Sequence, residues 1–211
     1  MEHSFWHERW ESGRIAFHEG APNALMVKHF SAMKLSNARI FVPLAGKSVD
    51  MAWLASEGHE VIGAELDKIA VEAFFEEHGL TPEVTSVGML TVYEAGQITL
   101  YQGDIFELSA ETLGPVDAVF DRAALVALPP AMRTDYAKHL IEMTGTAPQF
   151  LITYEYSNPD MQGPPHSVTE DEVHAHYDGL YSVDVLERAE ITGPLQNRTE
   201  GAEVVYRLAP R

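Results

Sequence analysis

Short apolar runs and stretches of helical spacing alternate along the first third of the chain. Residues 40–42, Ile-Phe-Val, predict a buried strand that the turn at 43–46 interrupts. Apolar residues then recur at helical spacing, at Val49, Met51, Trp53 and Leu54. A second apolar run at 61–64 ends on an acid, Glu65. This order of strand, glycine turn, helix, strand and acid predicts a βαβ unit.

The rest of the chain continues the alternation and predicts an α/β protein with a mostly parallel sheet and helices on both faces. The pattern predicts helices at 22–33, 67–78 and 130–143, and strands at 98–102, 116–120, 149–155, 181–191 and 202–208. We expect the last two strands to form an antiparallel pair. Residues 81–96 look irregular, with a hairpin leading into 98–102, and the Pro/Gly-rich residues 157–167 predict a loop at the ligand edge.

The βαβ unit has the parts needed to hold the adenosine half of a cofactor. Gly46 would let a ligand approach the backbone, and Glu65 is placed to accept hydrogen bonds from ribose hydroxyls. The sequence argues against a P-loop, because its first glycine would fall on Phe41, inside the strand, and the dinucleotide fingerprint G-x-G-x-x-G is absent. A plain βαβ unit with a solvated glutamate remains open. Among cofactors without a pyrophosphate, S-adenosylmethionine is the foremost candidate.

Two further residues follow predicted strands at the edge where open α/β sheets bind ligands. Asp104 comes after the strand 98–102 and could accept from an adenine amine, although an Asx turn explains it as well. Arg122 follows the strand 116–120 and precedes an apolar stretch, so a position at the ligand edge explains it better than an ordinary surface charge does. We therefore expect Asp104 and Arg122 near the ligand.

Composition narrows the function classes. The 211 residues favour one domain, and the absence of cysteine rules out disulfides and thiolate metal sites. With 14 basic against 32 acidic residues, a formal charge of −18 opposes nucleic-acid binding. The first ten residues lack the apolar core of a signal peptide, and no run is long enough to span a membrane. We expect a soluble, cytoplasmic protein.

Residues 1–20 are unusually aromatic, with Phe5, Trp6, Trp10 and Phe17. We expect this segment to cover the ligand edge as a lid that excludes water, with a permanently docked helix as the alternative. His3 and His7 have metal-ligand spacing, but no third ligand is evident, so packing is the preferred interpretation.

Six blocks in register carry a resemblance that spans nearly the whole chain: FWHERW, AFHEG, residues 41–65, YQGDIFEL, VFDRAALVAL and GPP. Together they resemble the bacterial thiopurine S-methyltransferases. The family often has cysteine at the position of Ala45, a change that leaves cofactor binding unaffected. The resemblance implies a Rossmann-like class I methyltransferase over residues 1–211, with a seven-stranded sheet whose last strand is antiparallel.

The resemblance also implies site residues. Trp10, Leu44, Glu65, Asp104, Ile105 and Arg122 match positions that contact S-adenosylmethionine. Phe17 and Pro165 match positions near the acceptor, and the acceptor-facing arginines are Arg122 and, in a looser match, Arg198. No catalytic triad, nucleophile or metal is expected, since an arginine near the acceptor would favour its thiolate form without a general base.

The implied acceptors are small aromatic and heterocyclic thiols, and bacterial relatives are associated with selenium and tellurium compounds as well. The notable alternatives are methylation of another soft nucleophile, such as halide or hydrogen sulfide, and a cofactor-binding sensor without turnover. An arginine at the acceptor end favours catalysis over sensing. We expect the protein to act as a monomer.

Overall fold

The computed structural model describes residues 3–15, 18–161 and 163–211. Within them, nine strands form a single sheet: β1 (Arg39–Val42), β2 (Glu60–Glu65), β3 (Glu83–Val87), β4 (Leu90–Ala95), β5 (Ile98–Gln102), β6 (Ala118–Arg122), β7 (Gln149–Tyr156), β8 (Tyr181–Glu190) and β9 (Gly201–Pro210). Their spatial order is β3-β4-β5-β2-β1-β6-β7-β9-β8.

The central strands β5, β2, β1, β6 and β7 are parallel, and β9 inserts antiparallel between β7 and β8. These seven strands are the sheet that the resemblance implied, with the last strand antiparallel. The sheet is nevertheless wider than expected, because β3 and β4 add an antiparallel extension beside β5. Every residue of β3 is exposed, so that strand has no buried face to produce an alternating pattern in the region we expected to be irregular.

The helices are α1 (His3–Glu11), α2 (Ala24–His29), α3 (Val49–Ser56), α4 (Lys68–Glu77), α5 (Ala110–Leu113), α6 (Pro130–Met143), α7 (Glu170–Tyr177) and α8 (Gly193–Gln196). Short 3₁₀ turns occupy Phe30–Met33, Ile105–Glu107 and Leu125–Ala127. Asp67 caps α4, since its side chain accepts from the backbone N–H of Ile69. The expected helix at 22–33 instead begins after Asn23, whose side chain caps α2, and ends as a 3₁₀ turn.

Helices cover both faces of the sheet. On one face, Phe41 and Ile62 of the strands pack in a buried cluster that includes Tyr136 of α6 and Val173 of α7. On the other face, alternate strand residues pack against α2, α3 and α4; they include Ile40, Val42 and Val61. Residues on successive positions of a strand point to opposite faces, so both faces of these short strands are buried. None of the described helices combines the length and apolar character required to cross a bilayer.

Candidate active site

A cavity of about 760 Å³ lies where the parallel strands end at their carboxyl termini. The loops after β1, β2, β5 and β6 line it, together with α1 and the segment at 18–25. The order of the strands reverses between β1 and β6, and ligands of open α/β sheets bind at such a switch point. Eight of the ten predicted cofactor and acceptor residues line this cavity: Trp10, Leu44, Gly46, Glu65, Asp104, Ile105, Arg122 and Pro165.

Glu65 joins two loops at the centre of this edge. One carboxylate oxygen, Oε2, accepts from the backbone N–H of Gly46 at 2.7 Å, and Oε1 accepts from the N–H of Asp67 at 2.8 Å. Burial raises the pKa of Glu65 to about 7, against the lowering effect of these hydrogen bonds. A carboxylate has about four lone-pair sites, so Glu65 can still accept from a ligand while it holds the loops.

The turn after β1 brings the backbone close to an aromatic ring. Leu44 and Gly46 both have positive φ, +45° and +56°. A Cβ atom at Gly46 would stand 3.4 Å from Cζ2 of Trp10, in addition to the strained backbone conformation. Trp10 is only 7% exposed, although it belongs to a short terminal helix. Gly46 therefore allows α1 to pack closely over the turn.

Two histidines of α1 face carboxylates of the ligand edge. Nδ1 of His7 lies 2.6 Å from Oδ2 of Asp67, and Nε2 of His3 lies 3.2 Å from Oδ2 of Asp104. The two carboxylates follow different strands, β2 and β5. Through these two contacts, His3 and His7 connect α1 to two loops of the ligand edge.

Asp104 also caps the 3₁₀ turn that follows it, since its Oδ1 accepts from the N–H of Phe106 at 3.0 Å. The Asx turn that the sequence left open is therefore present. Asp104 and the buried Ile105 nonetheless line the cavity, so the turn also presents them to a ligand.

Arg122 ends β6 with a side chain that is only 9% exposed. Its Nη2 pairs with Glu19, and its Nη1 lies 3.4 Å from Oδ2 of Asp50. Asp50 is 1% exposed and accepts from the backbone N–H of Asn23 at 2.7 Å, which holds it in place. Burial lowers the pKa of Arg122, but Asp50, Glu19 and then Tyr154 and Glu203 outweigh that effect and raise it. The guanidinium is therefore a permanent charge inside the cavity.

Sequence reasoning missed Glu19, Asp50, Tyr154 and Glu203 around Arg122. Burial raises the pKa of Tyr154 to about 12, so its hydroxyl stays protonated at neutral pH. Burial also raises the pKa of Glu203. A usable sign was present in the sequence, because Asp50 and Glu203 are acids within otherwise apolar helix and strand patterns.

The loop at 157–167 reaches the cavity through Pro164 and Pro165. The hydroxyl of Tyr156 donates to the carbonyl of Pro165 at 2.6 Å. Buried Arg133 donates to the carbonyl of Ser167 at 3.2 Å and pairs with Glu172 at 2.7 Å. These bonds fix the loop at the sheet edge, as its position after β7 predicted.

Two predicted acceptor residues are not placed in the cavity by the structure. Phe17 lies outside the described residues. Arg198 is exposed and does not line the cavity, although Leu195, three residues earlier, does. The acceptor assignment of Arg198 rested on the looser C-terminal match and gains no support from this arrangement.

Comparison with known sequences identifies one family over almost the whole chain. The family described as Thiopurine S-methyltransferase (TPMT) matches residues 1–209. A thiopurine S-methyltransferase of Xanthobacter autotrophicus is 50% identical over 210 residues, covering 99% of both chains. One from Gluconobacter oxydans is 44% identical over 207 residues, covering 98% of this chain and 94% of its own.

A solved structure with a similar fold is the 1,6-didemethyltoxoflavin-N1-methyltransferase of Burkholderia thailandensis, with bound 1,6-didemethyltoxoflavin and S-adenosylhomocysteine. It superposes with a TM-score of 0.66 at 14% identity, covering 98% of this chain and 87% of the other. At that identity the likeness concerns the fold alone. It agrees with the Rossmann-like methyltransferase sheet described above.

Proposed function

Because this chain belongs to the thiopurine S-methyltransferase family, we propose that the cavity under α1 holds both partners of its reaction. The enzyme transfers a methyl group from S-adenosylmethionine to the sulfur of a thiol, giving an S-methyl thioether and S-adenosylhomocysteine. We assign the half around Glu65 to the cofactor and the half around Arg122 to the acceptor.

The observation that carries the cofactor assignment is the buried carboxylate of Glu65 at the end of β2. Its two backbone hydrogen bonds orient it without exhausting its accepting capacity. Asp104 and Ile105 would border the adenine, while Trp10, Leu44 and Gly46 would enclose the sulfonium side. The donor set fits the cofactor, because a ribose offers two hydroxyl donors and Glu65 offers acceptors on the cavity wall.

The cofactor brings the chemistry when it is bound, as a methyl group on a positively charged sulfur. The protein contributes orientation and exclusion of water. In-line transfer requires the acceptor sulfur about 3–3.5 Å from the methyl carbon. Trp10 of α1 and the prolines of the loop after β7, Pro164 and Pro165, border the cavity and would close it against solvent.

Arg122 would act on the acceptor through charge. A guanidinium beside a thiol lowers the free energy of the thiolate relative to the neutral thiol, so an aromatic or heterocyclic thiol would be bound in its nucleophilic form. This function needs no general base. Phe17 belongs to the same proposed acceptor site by resemblance, outside the described residues.

We propose aromatic and heterocyclic thiols as the acceptors, with selenium and tellurium anions as further candidates because they are soft nucleophiles that Arg122 could attract. We also propose that the enzyme works as a monomer in the cytoplasm.

The test is an assay with methyl-labelled S-adenosylmethionine and a panel of thiopurines, benzenethiols, selenite, tellurite and iodide. The proposal predicts label transfer to the aromatic and heterocyclic thiols with the highest kcat/KM. Transfer to iodide with a higher kcat/KM than to any thiol would contradict the acceptor assignment. Size-exclusion chromatography with light scattering on the same preparation tests the monomer.

A further inference from the structure

Acidic side chains surround Arg122 at the acceptor end of the cavity. Three carboxylates, from Glu19, Asp50 and Glu203, act on the single guanidinium of Arg122. An anionic acceptor entering this site would meet Arg122 with its charge already balanced. One of the three carboxylates must therefore lose its hold on Arg122 before a thiolate can bind there.

The three carboxylates differ in how firmly they are held. Asp50 is 1% exposed and is fixed by the backbone N–H of Asn23 at 2.7 Å. Glu203 is 7% exposed, burial raises its pKa, and its Oε1 accepts from the side-chain amide of Asn23 at 3.4 Å, so it is held as well. Glu19 differs from both, because its side chain is 46% exposed. It belongs to the segment between α1 and α2 and pairs with Nη2 of Arg122. Glu19 is the group that can withdraw into solvent.

Arg122 also keeps an unused donor. Its Nε is buried and has no hydrogen-bond partner among the described residues. A buried donor without a partner is costly, and a guanidinium binds carboxylates and other anions best with two parallel N–H groups. Nε and Nη2 lie on the same edge of the guanidinium, so an anion that displaced Glu19 from Nη2 could accept from both.

We propose that Glu19 determines acceptor specificity by occupying the anion position of Arg122 until an ionised acceptor displaces it. This inference rests on the proposed function, since it takes Arg122 as the acceptor-binding group. Glu19 raises the KM for thiolates, because each must compete with a carboxylate attached to the same protein. No bond to Glu19 forms or breaks during methyl transfer.

The test compares the wild type with Glu19→Gln on two thiols at neutral pH. The first, 4-nitrobenzenethiol, is ionised under these conditions, and the second, phenylmethanethiol, is protonated. We expect Glu19→Gln to lower the KM for the ionised thiol about two- to fivefold, the upper part of the range for loss of a partly exposed ion pair, with kcat retained. The KM for the protonated thiol should change less than about twofold.

Glu60→Gln is the matched control. Glu60 is 53% exposed and pairs with Arg39 at 2.8 Å at the opposite end of β2, so the substitution removes the same charge from a similar pair away from the cavity. We expect it to leave both KM values unchanged. An unchanged or higher KM for the ionised thiol in Glu19→Gln overturns the inference. A fall in kcat confined to the protonated thiol overturns it as well, since Glu19 would then accept the thiol proton.

A second measurement separates this inference from the proposed function. In an Arg122→Lys background, Glu19→Gln should lower the KM for 4-nitrobenzenethiol by a smaller factor than in the wild type, since the lysine lacks the forked site that Glu19 covers. An equal factor in both backgrounds would overturn the role of Glu19 through Arg122. Wild-type activity of Arg122→Lys alone would instead overturn the acceptor assignment itself.

Discussion

The backbone N–H of Gly46 lies 2.7 Å from Oε2 of Glu65 and donates a hydrogen bond to it. The bond spans the ends of two neighbouring strands, since Gly46 follows β1 and Glu65 ends β2. The acid that the sequence suggested as a cofactor ligand therefore also fixes the turn against which the cofactor would lie. Its hydrogen bonds orient Glu65, and burial raises its pKa to about 7.

The first prediction concerns pH. Burial raises the pKa of Glu65 to about 7, and ribose hydroxyls donate to its ionised form. Below pH 7 the free protein increasingly protonates Glu65, and cofactor binding must release that proton. The affinity for S-adenosylhomocysteine should therefore fall as pH drops from 8 to 6, by up to about tenfold per unit below the pKa.

Calorimetric titrations at several pH values, in buffers of different ionisation enthalpy, measure both the affinity and the proton release. The control is Glu65→Gln, in which this pH dependence should be absent. The same slope in the wild type and in Glu65→Gln would show that another group is responsible.

The second prediction concerns Arg122. Lysine keeps the charge toward Asp50 but loses the planar fork, so Arg122→Lys should retain the fold and lower kcat/KM for a thiopurine at least about tenfold. Arg122→Ala would in addition leave buried Asp50 without its cationic partner, and is therefore the less informative variant. Initial rates and thermal unfolding of Arg122→Lys separate the two effects. Wild-type turnover in Arg122→Lys would show that the arginine contributes only a structural charge and does not act on the acceptor.

The third prediction concerns stability near the site. Asp121, next to Arg122, is completely buried, and the hydroxyl of Tyr136 donates to its Oδ2 at 2.7 Å. Tyr136→Phe leaves a buried acceptor without that donor and should cost about 1–3 kcal/mol in urea unfolding. Tyr177 offers the matched control, because its buried hydroxyl has no partner among the described residues. Tyr177→Phe should be nearly neutral or stabilising, and an equal loss in both variants would refute this account of Asp121.

Much of the fold could be predicted because its central strands are buried on both faces. The runs at 40–42 and 61–64 have no polar interruptions, and the turn and acid after them place the ligand edge. By contrast, β3 was not predicted. Its backbone pairs with β4, but all of its side chains are exposed, so its sequence shows no alternation of apolar and polar residues.

The candidate site could be predicted only in part for a different reason. Glu65, Asp104 and Arg122 directly follow or end predicted strands, so their position in the sequence indicates their place in space. Glu19 and Glu203 come from distant parts of the chain, and only the packing of the segment at 18–25 and of β9 against the site brings them to Arg122. The spacing of His3 and His7 likewise resembles that of metal ligands, and only the structure shows that each histidine contacts a different carboxylate.

The fourth prediction concerns α1 as a lid. Trp10 and the contacts of His3 and His7 dock the helix, but α1 is short and four of its nine residues are exposed, as expected of a segment that opens locally. We predict that amide hydrogen exchange of residues 3–15 slows when S-adenosylhomocysteine binds, while exchange in α7, none of whose residues lines the cavity, serves as the reference. Unchanged protection of 3–15 at saturation would mean that the helix is permanently docked.

The most direct test of the central claim is a calorimetric titration of S-adenosylhomocysteine into Glu65→Gln at pH 8, with the wild type and Glu60→Gln beside it. Loss of charge-assisted hydrogen bonds costs about 1.5–3 kcal/mol, which corresponds to a Kd raised by about one to two decades. Glu60 lies at the other end of β2, so its substitution should leave the Kd unchanged. If Glu65→Gln, folded as judged by circular dichroism, binds S-adenosylhomocysteine with the wild-type Kd, the cofactor does not bind where we place it.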